Sequence, residues 1–138
     1  MLLRSQLGVM GVTDVDVSSA GTHARNGKPI DPRVQEVLLE WGIDSGKHSA
    51  RRMEPRIARE ADAVIAMDDL NLAELVATYP DIKSRLFLLA AVRGGDPAAE
   101  IPDPYYGDPA AVRRTLELIR ADVFCLASLI AASRGGRQ

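Results

Sequence analysis

Ala63-Val64-Ile65-Ala66-Met67-Asp68-Asp69-Leu70-Asn71-Leu72 is the stretch that decides the fold. Its first five residues are an unbroken apolar run, the pattern of a strand covered on both faces. Asp68-Asp69 then supplies a side-chain acceptor for the free N–H groups at a helix start. Leu72, Leu75, Val76 and Tyr79 share one side of that helix, and Pro80 follows. Strand followed directly by helix is the repeat from which parallel sheets are built.

Working outward, Leu86-Phe87-Leu88-Leu89 is a further buried strand, and Val15-Asp16-Val17-Ser18 alternates as a short one. Asp31-Pro32 opens a helix with Val34, Val37, Leu38 and Trp41 on one face, closed by Gly42. Met1 to Leu7 reads as the end of a helix stopped at Gly8, and Ile43 to Pro55 as irregular and basic. Asp108-Pro109 caps a last helix whose inner stripe is Val112, Leu116, Ile119, Val123, Leu126 and Ile130. The order α, β, α, β, α, β, α predicts an α/β protein, a small doubly wound parallel sheet with helices on both faces. Residues 1–132 form a single domain in this reading and residues 133–138 a flexible tail. A doubly wound unit ordinarily starts on a strand, so the first, central strand is expected to be missing from this chain.

Composition excludes several functions. With 138 residues and 46% hydrophobic side chains, one real core is possible. A net charge of -2 and an aromatic share of 4% argue against nucleic acid, which wants basic and stacking residues together. Arg113, Arg114, Glu117, Arg120 and Asp122 interrupt the longest apolar helix, so no membrane span is expected. Met1-Leu2-Leu3 runs at once into Arg4, which is no signal peptide. The single cysteine, Cys125, permits no internal disulfide and points to a reducing cytoplasm. His23 and His48 have no partners at ligand spacing, so no zinc site is expected, and the chain is assigned no cofactor. His23 reads as surface and Arg51-Arg52 as a solvated pair.

One stretch carries chemistry. Ile101-Pro102-Asp103-Pro104-Tyr105-Tyr106-Gly107 sets a carboxylate between two prolines, then two phenols. Each proline fixes its own φ and pushes the preceding residue toward extended backbone, so Asp103 sits on a stiff loop. A carboxylate held this way can deliver a proton to a fixed point, and adjacent tyrosines can wall a slot for a flat ring. The same spelling also serves as a plain surface turn. Position favours the first reading: Ser19 to Thr22, Asp68 and Asp103 each follow a strand, where open parallel sheets bind ligands.

Taken together, these stretches resemble the low-molecular-weight protein tyrosine phosphatase family. The matching segments are Val17-Ser18-Ser19-Ala20-Gly21-Thr22; Pro29 to Arg33 with Trp41-Gly42-Ile43-Asp44; His48-Ser49-Ala50-Arg51; Ala63 to Asp68 with Asn71-Leu72; and Ile101 to Gly107. The resemblance implies a four-stranded parallel sheet and metal-free hydrolysis of phosphotyrosine-containing protein through a phosphocysteine. It implies Asp103 as general acid, Tyr105 and Tyr106 as walls of the substrate slot, and Ser19 and His48 as residues orienting the phosphate loop. Asp68 and Asn71 would form a turn near the site, and Arg25 and Asn26 would lie where the family varies its substrate preference. The family's nucleophile belongs to a Cys-x5-Arg-Ser loop that follows its first strand, and this sequence contains no such loop. Arg4-Ser5 has no cysteine before it; Cys125 lies between Phe124 and Leu126, with Ala131 where the loop arginine would stand. The polypeptide is therefore expected to lack the phosphocysteine step, with an upstream start favoured over degeneration. A non-catalytic phosphotyrosine-binding relative is the alternative; arsenate reductase, which needs further redox cysteines, stands behind both.

Overall fold

In a computed structural model the described residues are 1–94, 101 and 108–135. They comprise α1 (Leu2–Val9), α2 (Pro32–Glu40), α3 (Pro55–Glu60), β1 (Val64–Ala66), α4 (Asp69–Thr78), β2 (Leu86–Leu88) and α5 (Pro109–Gly135). Two 3₁₀ turns, Pro80–Arg85 and Leu89–Arg93, flank β2. By contact the chain divides into two compact units.

One unit, built from residues 19–29, 48–94 and 101, holds the sheet. Strands β1 and β2 are parallel, with Val64, Ile65 and Ala66 opposite Leu86, Phe87 and Leu88. The connection runs through α4, so the strand-helix-strand order expected from Ala63 onward is present. One face of the pair meets a core of Ala58, Ala66, Leu75, Tyr79, Ile82 and Leu88, with Met53, Val64, Leu72 and Leu86 packed against it. The opposite face differs from the reading of strands buried on both sides. Phe87 is 51% exposed, because period-two alternation turns it away from the core that holds Leu86 and Leu88. An apolar run records what a strand can bury, not what arrives to cover it.

The other unit, residues 1–18, 30–47 and 108–135, is helical, with α1 and α2 packed on α5. Val37, Val112 and Leu116 are its buried cluster, with Val34, Trp41 and Ile119 alongside. Asp31 caps α2 as expected: its Oδ1 accepts from the Arg33 N–H at 2.9 Å, and its other oxygen takes the guanidinium at 2.7 Å. Gly42 ends that helix with φ +75°, a conformation that costs other residues a steric clash. The Arg120 guanidinium lies 4.5 Å from the Trp41 ring centroid, and Arg113 donates to both Glu40 oxygens at 2.8 Å. Val112, Leu116 and Val123 of the α5 stripe are buried; Ile119, Leu126 and Ile130 are half-buried.

Three expectations are corrected. Residues 15–18 form no strand: alternation supplied a face, but the described residues supply no ladder, and the Val17 carbonyl accepts the Arg4 guanidinium instead. The sheet among the described residues has two strands rather than three or the family's four. Helix α5 continues through Ser133, Arg134 and Gly135 into the stretch read as tail, where Arg134 pairs with Asp14. In addition α3 and the 3₁₀ turn at Pro80–Arg85 escaped the reading, being too short to show a period.

Candidate active site

Asp68 and the Ile101 anchor both lie just past the carboxyl end of β1. Asp68 caps α4, its Oδ1 accepting from the Asn71 N–H at 2.7 Å, so the Asp68–Asn71 turn expected from the family is present. The Ile101 N–H donates to the Met67 carbonyl at 2.9 Å, and Ile101 is 3% exposed. Ile101 is the first residue of the acid-loop string. The chain therefore leaves for that loop from a buried anchor one residue beyond β1. Asp103, Tyr105 and Tyr106 themselves lie outside the described residues. At the far side of the string, Asp108 caps α5 through an acceptor bond from the Ala111 N–H at 2.7 Å.

Segments 19–29 and 48–53 lie side by side in the same unit. Gly21 pairs with Arg52 in parallel sense, and Pro29 with Ser49 in antiparallel sense. The Gly21 N–H donates to the Arg51 carbonyl at 2.9 Å, and the Met53 N–H returns to the Gly21 carbonyl at 2.9 Å. The Arg51 Nε donates to the Ser19 carbonyl at 2.9 Å. Ser19 is thus held through its backbone by Arg51, a partner that its own position in the sequence gives no sign of. His48 is half-buried at the other end of this pairing, beside Ser49. The structure brings the two segments together but sets Ser19 and His48 at opposite ends of them, and neither side chain bonds another described residue.

A second connection ties segment 19–29 to α4. The His23 Nε2 meets the Glu74 carboxylate at 2.9 Å and 3.2 Å, so the histidine read as plain surface has a specific partner. The His23 ring and the Thr22 hydroxyl together hold the Glu74 carboxyl below the ordinary glutamate range. A carboxyl with a lowered folded-state pKa contributes stability that is present above its unfolded value, about 4.3, and is lost as pH falls through the lowered value. Carbonyl-carbon NMR titration is expected to give Glu74 a midpoint below that of a free glutamate. His23→Ala should return it toward the free value; an unmoved midpoint would remove His23 as the cause.

Cys125 is half-buried in the interior of the 27-residue α5. A reactive thiolate is favoured at a helix N-terminus, and Cys125 lies far from the start of α5. Among the described residues no cluster of three or more His, Cys, Asp or Glu could hold a metal ion, and no helix is long and apolar enough to cross a membrane.

An α/β unit whose capping carboxylate and loop anchor both sit past the carboxyl end of a parallel strand has the layout of open-sheet proteins, which bind ligands at that edge. The family profile described as low molecular weight phosphotyrosine protein phosphatase matches residues 1–134, and the chain belongs to that family. The probable low molecular weight protein-tyrosine-phosphatase EpsP of Ralstonia nicotianae is 32% identical over 109 residues, 79% of this chain and 72% of that protein. Among solved structures, the low molecular weight protein tyrosine phosphatase from T. tengcongensis superposes with a TM-score of 0.84 at 26% identity, over 92% of this chain and 85% of that one. The YwlE arginine phosphatase from Geobacillus stearothermophilus gives 0.89 at 24% identity, over 99% and 88%, a likeness of fold alone.

Proposed function

We propose that this chain carries the general-acid side of a site for hydrolysis of phosphotyrosine in protein substrates, a reaction whose phosphocysteine nucleophile residues 1–138 do not supply. Asp103 is the general acid, protonating the leaving phenolate and then activating water. The anchoring of Ile101 on Met67 carries this reading: it starts the acid loop from the carboxyl end of a parallel strand, where a substrate would bind. Tyr105 and Tyr106 wall the slot for the phenyl ring, and Ser19 and His48 orient the loop that holds phosphate. A reducing cytoplasm suits a chain whose one thiol is half-buried.

Residues 1–138 contain no Cys-x5-Arg, and that favours a second reading of the polypeptide by itself: it binds the ring and offers the proton without forming the phosphocysteine. The test is para-nitrophenyl phosphate turnover by the 138-residue chain and by Cys125→Ser, beside titration with a phosphotyrosine peptide and its phosphoserine counterpart. Neither chain should release phenolate above the uncatalysed rate. The phosphotyrosine peptide should bind more tightly than the phosphoserine one, and Tyr105→Ala/Tyr106→Ala should erase the difference. Turnover abolished by Cys125→Ser would make Cys125 a nucleophile and overturn the account; peptides bound alike would remove the slot.

A further inference from the structure

We propose that the paired segments 19–29 and 48–53 form a docking surface for an extended, carboxylate-rich peptide segment of a partner protein. The proposal extends the catalytic reading, whose Ser19, Arg25 and His48 lie in these same segments, and it is tested by binding alone. The two segments carry Arg25, Lys28, Arg51 and Arg52, all exposed, with His48 half-buried, and contain no carboxylate, in a chain whose net charge is -2. Four cations elsewhere are neutralised locally, Arg33 by Asp31, Arg59 by Asp81, Arg113 by Glu40 and Arg134 by Asp14. Arg25, Arg51 and Arg52 have no carboxylate partner among the described residues.

The backbone beneath this charge is fixed. The Gly27 N–H donates to the Ala50 carbonyl at 2.8 Å, and the Ala50 N–H to the Lys28 carbonyl at 2.8 Å. The Asn26 Oδ1 accepts from the Arg52 N–H at 2.7 Å, and Arg51 is tied to Ser19. The His23–Glu74 contact moors the same ribbon to α4. A charged surface on a fixed backbone adds no backbone ordering of its own to the cost of docking, which favours electrostatic capture of an acidic strand. Neither segment contains a Phe, Tyr or Trp as a broad stacking platform, so the chemistry favours a peptide over nucleic acid.

The experiment is fluorescence anisotropy of a labelled oligoglutamate peptide against the full chain, with an oligoglutamine peptide and a single-stranded oligonucleotide as the other arms. Binding is read without turnover, so it fails or succeeds apart from the phosphatase reading. Oligoglutamate alone should bind, and about tenfold more weakly in salt well above the level at which the Debye length is about 10 Å. Arg25→Glu/Arg52→Glu should weaken it at least about tenfold while the circular dichroism spectrum is kept. Lys83→Glu/Arg114→Glu, an equal charge change on exposed residues outside the ribbon, should leave it within about twofold. Equal loss in both double variants, absence of binding at low salt, or tighter binding of the oligonucleotide would each overturn the proposal.

Discussion

Ile82→Ala is expected to lower unfolding free energy by about 2–5 kcal/mol, the range for deleting a buried isoleucine side chain down to its Cβ. Ile82 has 0% exposure and lies in the 3₁₀ turn Pro80–Arg85 between α4 and β2. It belongs to the cluster formed by Ala58 of α3, Ala66 of β1, Leu75 of α4, Tyr79 and Leu88 of β2. The loss therefore reaches every element that supports the end of β1 and the Met67 anchor of the acid loop. Urea denaturation should show a lower midpoint with an unchanged slope, since the surface exposed on unfolding is the same. Ile82→Val should cost only about 0.5–1.5 kcal/mol. If the alanine variant lost less than the valine range, the turn would be a surface connection and not a part of the core.

Gly21→Ala should cost about 1–3 kcal/mol, the usual range for overpacking a tight site. A methyl at Gly21 would stand 2.8 Å from the Ala24 Cβ, itself fixed directly to the backbone, so the chain must shift. The Gly21 N–H and carbonyl are both committed, to Arg51 and Met53, and Met53 packs on the core of β1 and β2. The strain therefore passes into the ribbon and loosens Arg51, which holds Ser19. Gly21 and Met53 amides should exchange faster with deuterium than in the parent chain. Ala24→Gly removes the opposing methyl, so the double variant should recover most of the loss attributable to the clash. A double-mutant cycle with no coupling between positions 21 and 24 would show that the contact is not the cause.

Much of the architecture was legible in local chemistry. The apolar run at Ala63 to Met67, the Asp68 cap, the Asp31-Pro32 start and the Gly42 stop each express a preference that acts within a few residues, and each is present where the spelling places it. The family resemblance was equally legible, because it rests on short strings in a set order. Less legible were elements without a period of their own. Helix α3 and the 3₁₀ turn are six residues each, and the position of Ile82, fully buried, carries no periodic sign of its burial.

The amino-acid order alone determined the class of fold, the family and the absence of Cys-x5-Arg from residues 1–138, since helix capping, apolar patterning and residue identity are local properties. Only the tertiary structure decided that residues 15–18 form no ladder with the described residues, that Phe87 faces outward, that Ile101 is pinned to Met67, and that two basic segments lie against each other. Those outcomes depend on which distant backbone groups and side chains meet, and hydrogen-bond pairing and burial between residues far apart in sequence leave no mark on either partner's immediate neighbours.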